Sequence, residues 1–288
     1  MSGLSSVWAS KGPSARFLLL GSLLAPPFRG PMLVAGAAFA LSSTLDIHPY
    51  LPLLCGSAED HLPVVAILAS VRFLRAINPP GSLALAWLAM LLAMMTPLIA
   101  LPLSHVRASS LVARRWRAAA GFLLGYFGVW MCAGVPLLAA AFALRLLAGS
   151  VPAAFLATSL LALVWSANPL QKAAQNRAHR LRRIGLFGLA ADRDCMIFGA
   201  ALGGWCLASC WAWMLVPLFA PAAHVPAMVA VASILMAERL RGPGPARWRV
   251  PVVLSLPLGW LRGLSTQGRR QGARALVGQD DDIRSGEA

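Results

Sequence analysis

The sequence predicts an all-α fold, a polytopic transmembrane bundle of about six spans with cytoplasmic N and C termini. Three observations predict this fold. Hydrophobic residues make up 58% of the 288-residue chain and charged residues only 12%, so polar side chains are too few to cover a core of this size in water. Long apolar stretches recur along the chain. Basic residues fall in short clusters between these stretches, as the positive-inside rule describes.

Five apolar stretches are long enough, or nearly so, to cross a bilayer core of ~30 Å, which needs ~20 helical residues. Their approximate ranges are 82–103, 118–145, 151–169, 195–220 and 222–238. A sixth and weaker span lies within residues 17–45 and is interrupted by Pro26, Pro27 and Pro31. Backbone groups cannot stay unpaired in hydrocarbon, so each span is predicted to be helical.

The charges on the links between the spans predict how the spans are oriented in the membrane. They also divide the chain into three regions. Basic clusters at 107–117, 172–183 and 239–249 occupy alternate links, which places these links in the cytoplasm. The acidic and histidine-bearing segment that precedes residue 82 is then external. The predicted regions are an N-terminal anchor and external segment (1–81), a membrane domain (82–245), and an interfacial and disordered cytoplasmic tail (246–288).

The charge pattern and the motif content exclude several functions. A net charge of +15 is also typical of nucleic-acid-binding proteins, but here the charge sits in short links between apolar spans, which indicates a lipid bilayer as partner. The sequence contains no nucleophile elbow, Walker loop, metalloprotease helix or dinucleotide fingerprint. Few ionisable residues lie within the spans, which argues against a proton-coupled pump. We therefore expect a multi-pass protein of a bacterial inner membrane that is not an enzyme.

A sulfur-rich stripe is the main candidate site. Cys206, Cys210 and Met214 are spaced i, i+4 and i+8, which places them on one face of a helix. Thiolate and thioether sulfurs are soft ligands that favour Cu(I). The alternative is packing, because Cys and Met also act as ordinary core residues. The spacings Gly199-x-x-x-Gly203 and Gly121-x-x-x-Gly125 predict close helix crossings, and Tyr126 with Trp130 is expected to serve packing.

Further candidates lie on other segments. Met90 and Met94 share a helix face, and Met95 is adjacent. Pro97 is expected to free the carbonyl group of Ala93, and the alternatives are a kink in this helix or an oxygen that the site can use. In the short external turn, His224 and Met228 are candidates for an outer access point. His179 lies among arginines of a cytoplasmic, helical segment, where a solvated position is the alternative.

These motifs resemble a bacterial family of predicted metal-binding integral membrane proteins, the domain of unknown function 2182. The pattern Met-x-x-Ala-Met-Met-x-Pro matches residues 90–97, and Gly-Tyr followed by Trp is similar to Gly125-Tyr126 and Trp130. A further helix of the family pairs small residues with Cys, Trp and Met, and residues 199–214 fit it in register. Glu238-Arg239 looks like the family's terminal Glu-Lys, which we interpret as an ion pair that anchors the last helix.

The chain departs from the family pattern at two places, so it resembles a divergent member. The family has a loop of the form Pro-Leu-Lys-x-x-Cys-Leu-x-x-Cys-Arg. If Lys172 and Arg180 are matched to this loop with a one-residue insertion, its two cysteines fall on Gln175 and His179. Without the insertion, they fall on Ala174 and Ala178. Ser209 stands where the family has the first of two adjacent cysteines. The resemblance implies a metal-related role that is weakened or altered, in which the intramembrane sulfur stripe survives in part and the cytoplasmic thiol site is gone or reduced to a His.

From these observations we predict a membrane protein that binds or relays a soft metal ion, copper being the expected one. The predicted ligands are Cys206, Cys210, Met214, Met90, Met94, Met95, His224 and His179. A metal-carrying or metal-receiving protein is the expected partner. The alternative is a non-catalytic membrane scaffold or assembly partner that has lost its metal ligands. A small-molecule permease is a third class, which the lack of mid-membrane charges disfavours.

Overall fold

The computed structural model describes residues 27–44, 80–185 and 187–255, and every regular element in these ranges is helical. This confirms the all-α prediction for that part of the chain. The α-helices are α1 (Arg29–Thr44), α2 (Pro80–Met95), α3 (Ala100–Ala108), α4 (Arg115–Ala148), α5 (Val151–Ala167), α6 (Pro169–Ala178), α7 (Gly188–Leu215) and α8 (His224–Leu240). Short 3₁₀ turns cover Thr96–Ile99, Val112–Arg114, Val216–Phe219 and Pro221–Ala223.

Four helical segments of the described residues are long and apolar enough to span a membrane. They are Gly81–Ala108, Val112–Ala148, Gly188–Phe219 and Pro221–Leu240, and they correspond to four of the five stronger predicted spans. The fifth, α5, continues into α6 through a bend of 70° and forms a broken pair with it. The count of six spans and the placement of both termini stay predictions. Most of the proposed external segment, and the tail from residue 256, lie outside the described residues.

Prolines break two of the long segments. Pro97 lies in the 3₁₀ turn between α2 and α3, and Pro217 lies in the turn that follows α7. Proline has no N–H for the helical ladder, and its ring clashes with the preceding turn. The break at Pro97 was predicted from the sequence and is confirmed. Pro136, in contrast, is accommodated within the continuous helix α4.

Helices α4 and α7 cross closely because glycines line the contact. A Cβ atom on Gly125 would collide with the backbone carbonyl oxygen of Met196, and one on Gly199 would collide with that of Phe122. Small residues let two helix backbones approach in this way. The tight crossing predicted from the small-residue spacing is therefore present, and it aligns the side chains that follow these glycines.

The three basic links meet at one end of the bundle. A ring nitrogen of His105, at the end of α3, lies 3.0 Å from the carbonyl oxygen of Arg182, between α6 and α7. From α6, Lys172 Nζ donates to the carbonyl oxygen of Gly242, just beyond α8, at 2.7 Å. This agrees with the prediction that the basic links share one side.

Much of the outer helix surface is apolar. Leu156, Leu160 and Val164 follow one another at four-residue spacing along α5, and all three are exposed. Val135 and Leu147 of α4 are also exposed. Exposed apolar faces of this kind are typical of surfaces that contact lipid or another protein.

A buried thiol pair as the candidate metal centre

Helix α7 places two thiols side by side inside the bundle. Cys206 and Cys210 are both buried, and their Sγ atoms lie 4.0 Å apart. With metal–sulfur bonds of ~2.3 Å, as in zinc thiolates, two sulfurs at this separation would meet an ion at ~120°. This separation is therefore compatible with both sulfurs bonding to one ion, which would leave a position in the coordination shell for a further ligand.

A tyrosine from the neighbouring helix contacts the first thiol. The Tyr126 hydroxyl donates a hydrogen bond to Cys206 Sγ at 3.2 Å, and the whole side chain is buried. A Cβ atom on Gly203 would lie only 2.9 Å from the Tyr126 carbonyl oxygen, so the close crossing brings the phenol to the sulfur. The sequence indicated only packing for Tyr126. The contact depends on the register of the α4–α7 crossing, which no local motif encodes.

Trp130 follows one turn later on α4 and lies next to the same sulfur. Its indole N–H is buried beside Cys206 but makes no hydrogen bond of normal geometry. Its carbonyl oxygen accepts a hydrogen bond of 3.0 Å from Trp87 Nε1 of α2. This bond attaches α2, the helix that carries the predicted methionines, to the turn of α4 that lies beside the thiol pair.

Ser209 contacts both cysteines of the pair. Its hydroxyl donates to the backbone carbonyl oxygen of Cys206 at 2.9 Å, and its Oγ lies 3.3 Å from Cys210 Sγ. Ser209 is itself buried. Because Ser209 stands where the resembled family has cysteine, a third donor atom lies within reach of the pair, although it is an oxygen and not a sulfur.

The predicted methionine ligands share a hydrophobic core with the thiols. Each of them is almost fully buried: Met90, Met94, Met95, Met214 and Met228. Helix α2 packs mainly on α1, α4 and α8, whereas α7 packs mainly on α4 and α6. The thiols are therefore brought together by the structure, while the convergence of the methionines on one ion stays a prediction.

The two predicted histidine ligands occupy different environments. His224 is buried at the start of α8, and its Nδ1 lies 2.9 Å from the carbonyl oxygen of Pro217. His179 is half-buried at the end of α6. Burial, together with the charges of Arg239 and Lys172, lowers the pKa of His179 to about 4. Its imidazole is thus neutral at pH 7, but the two neighbouring cations oppose the binding of a metal ion there.

A second buried polar cluster, which the sequence did not predict, lies at the basic end of the bundle. Glu238 of α8 is buried, and its Oε2 accepts hydrogen bonds from Nε2 of Gln171 at 2.8 Å and of Gln175 at 2.9 Å. The Nη2 atom of Arg249 donates to the side-chain oxygens of the same two glutamines at 2.9 and 3.2 Å. We name these four residues the glutamate cluster.

The glutamate cluster differs from the ion pair that the sequence suggested. Glu238 is held by the glutamines of α6, whereas Arg239 donates to the carbonyl oxygen of Ala178 at 2.9 Å. Both residues thus attach α8 to α6, but through separate contacts. Their partners lie 61 to 67 residues away in the chain, so adjacency in sequence was misleading.

Histidine, cysteine and carboxylate residues do not form a group of three or more around any one point within residues 27–44, 80–185 and 187–255. A metal site built on the thiol pair would therefore take any further ligand from thioethers or other neutral donors. The methionines of the shared core are donors of this kind.

Comparison with protein families gives a match that covers more than half of the chain. Residues 84–261 match the PpoB2 family, whose description is "Copper chaperone". The chain belongs to this family. The PpoB2 match agrees with the metal-related family that the motifs resemble, and its description names copper. Comparisons with curated proteins and with solved structures give no match.

Proposed function

We propose that this protein is an integral membrane copper chaperone, which binds a copper ion at the thiol pair and passes it to another protein. The observation that carries the proposal is the pair of buried sulfurs 4.0 Å apart in a chain of the PpoB2 family. The four apolar segments support a multi-pass position in a membrane, which we propose to be the bacterial inner membrane.

The chemistry of the proposed site suits copper in its reduced state. Thiolates and thioethers are soft ligands and select soft cations such as Cu(I). Thiols become ligands by losing a proton on binding, and neutral thioethers cost little to bury. We propose Met214, one helical turn beyond Cys210, as the next ligand in the shell. In this proposal copper is cargo, and the protein catalyses no reaction.

The other sulfur and imidazole groups would form the route of the ion. Met90, Met94 and Met95 would offer thioethers from α2, and Met228 with His224 would lie at the outer end. His179 lies at the basic end, where the neighbouring cations disfavour it as a resting site. A metal-carrying protein on one side and a metal-receiving protein on the other would complete the relay.

Copper content tests the proposal directly. The full chain is purified in detergent, loaded with Cu(I) under reducing conditions, and analysed for metal per protein. We expect about one copper bound at the pair, and loss of that copper in Cys206→Ala/Cys210→Ala. The control variant, Cys132→Ala/Cys195→Ala, removes two thiols that lie outside the pair and should keep the copper.

Two outcomes would overturn the proposal. Equal copper in the wild-type protein and in Cys206→Ala/Cys210→Ala would show that the pair is not the site. A wild-type protein that binds no copper but retains a stable partner on cross-linking would favour the scaffold alternative. That alternative has one observation in its favour, since Ser209 and His179 occupy positions at which the resembled family has cysteine.

A further inference from the structure

The two sulfurs of the thiol pair have hydrogen-bond partners of opposite kinds. Tyr126 donates its hydroxyl proton to Cys206 Sγ at 3.2 Å from across the α4–α7 crossing. The Cys206 sulfur is therefore an acceptor. The indole N–H of Trp130 lies beside the same sulfur, so the groups that face Cys206 from α4 are both donors.

Cys210 is in the reverse situation because of Ser209. A serine hydroxyl has a single proton to donate, and that of Ser209 goes to the Cys206 carbonyl oxygen at 2.9 Å. The Cys210 thiol is then left as a donor, with Ser209 Oγ at 3.3 Å and Cys206 Sγ at 4.0 Å as the acceptors within its reach. The structure thus holds Cys206 as an acceptor sulfur and Cys210 as a donor thiol.

We infer that Cys206 is the anchoring copper ligand and Cys210 the exchangeable one, and that Tyr126 is the positioning residue that makes them unequal. This inference rests on the proposed function. A hydrogen bond to a ligating group fixes its orientation and tunes its strength, and loss of such an outer partner typically costs 10–100-fold in metal affinity. Cys210 binds the ion by giving up its thiol proton, and with it the hydrogen bond that it donates, and it regains both when the ion leaves.

The surroundings of Tyr126 keep its hydroxyl in place. The ring stacks on Phe122 with centroids 6.3 Å apart and meets Phe127 edge-on at 5.3 Å. Gly203 contacts the Tyr126 backbone from α7. A Tyr126→Phe change therefore removes the donor and leaves the ring packed, so it isolates the hydrogen bond from the fold.

Single variants of the full chain in detergent separate the two roles. Cu(I) affinity and release rate are measured by competition with a Cu(I)-selective chelator. We expect Cys206→Ser to lose its copper, and Cys210→Ser to keep it but release it at least ~10-fold faster. Tyr126→Phe should bind the wild-type amount of copper with affinity lowered ~10-fold. Serine is close in size to cysteine, and thermal unfolding checks that each variant is folded.

A matched control distinguishes the hydrogen bond from a general effect of deleting a buried hydroxyl. Thr158→Val removes a hydroxyl that is fully buried on α5 and bonded only within its own helix. The sulfur-to-copper absorption band should shift in Tyr126→Phe and stay at the wild-type wavelength in Thr158→Val. An unchanged band together with unchanged affinity in Tyr126→Phe would overturn the role of Tyr126.

Failure of the inference can be told from failure of the proposed function. If the wild-type protein binds copper at the pair but Cys206→Ser and Cys210→Ser lose it equally, the two sulfurs are equivalent and the inference is wrong. If Cys206→Ala/Cys210→Ala keeps the wild-type copper content, the proposed function itself is wrong and the inference falls with it.

Discussion

The thiol pair and the glutamate cluster are both buried and polar, but the hydrogen bonds that hold them differ in strength, although Glu238 Oε1 and Arg249 Nε of the cluster have no hydrogen-bond partner among the described residues. In the glutamate cluster each glutamine amide is bonded at both ends, by Glu238 on one side and Arg249 on the other. The sulfurs of Cys206 and Cys210 have only weak partners at 3.2 to 4.0 Å. Sulfur is a poor donor and acceptor, so little is lost when a metal ion replaces the contact between the two sulfurs and the contact of Cys210 with Ser209.

The difference shows which buried polar groups can serve as a site. Strong charged groups must be paired to be buried at all, because an unpaired buried charge is very costly. Once paired, they fix one helix on another, as Glu238 fixes α8 on α6. Thiols can be buried with little cost and remain able to exchange partners. We therefore propose a structural role for the glutamate cluster and metal binding for the thiol pair, and three experiments test this separation.

The largest effect is expected from closing the helix crossing that supports the thiol pair. Gly125→Ala and Gly199→Ala would each drive a Cβ atom into a backbone carbonyl of the opposite helix, with an expected cost of ~3 kcal/mol from overpacking. Both should also lose copper affinity, because Tyr126 can no longer reach Cys206. Thermal unfolding in detergent and copper competition measure the two effects.

The same helices offer matched controls. Gly128 and Gly204 have open space where a Cβ atom would be placed. Gly128→Ala and Gly204→Ala should therefore be neutral or stabilising by up to ~1 kcal/mol, as expected for glycine replaced within a helix. If Gly125→Ala proved as stable as Gly128→Ala, the close crossing of α4 and α7 would be wrong.

A smaller effect, limited to stability, is expected in the glutamate cluster. Arg249→Ala removes the donor that bonds both glutamines, and hydrogen bonds to charged groups contribute ~1.5–3 kcal/mol. Arg247→Ala, two residues away and exposed, is the control and should change little. Copper stoichiometry should be the same in both variants. A loss of copper in Arg249→Ala alone would show that the two regions are not separate.

The sequence predicted those features of the fold that depend on local composition. Apolar length predicted four of the spans, proline chemistry predicted the break at Pro97, and glycine spacing predicted the close crossing at Gly199. Residues four apart on a helix share a face, so the proximity of Cys206 and Cys210 also followed from the sequence.

Features that depend on the relative placement of helices were not predictable. The bond from Tyr126 to Cys206 needs the register of two helices that are 80 residues apart in the chain. Glu238 seemed paired with its neighbour Arg239, yet both find partners on α6. The sequence likewise shows that Met90 and Met214 are apolar and helical, but not how far apart packing places them.

The smallest of the three effects is a loss of stability in acid that arises at His179, at the end of the helix α6 that carries Gln171 and Gln175. The pKa of His179 is lowered to about 4 in the folded protein, first by burial and then by Arg239 and Lys172, from an ordinary value of 6.5. The unfolded chain thus takes up a proton at higher pH than the folded chain does. Stability from this residue is complete above pH 6.5 and is lost as the pH falls towards 4.

Thermal unfolding at pH 7 and pH 5 measures this loss of stability. The protein is kept free of copper, because metal binding releases protons and would add a pH dependence of its own. The fall in unfolding temperature between the two values should be smaller in His179→Gln than in the wild-type protein. The difference is expected to be modest, because a half-buried imidazole is partly screened by solvent. An identical fall in both proteins would show that the imidazole is as accessible in the folded chain as in the unfolded one. The attachment of α6 beside Arg239 would then be looser than the glutamate cluster implies.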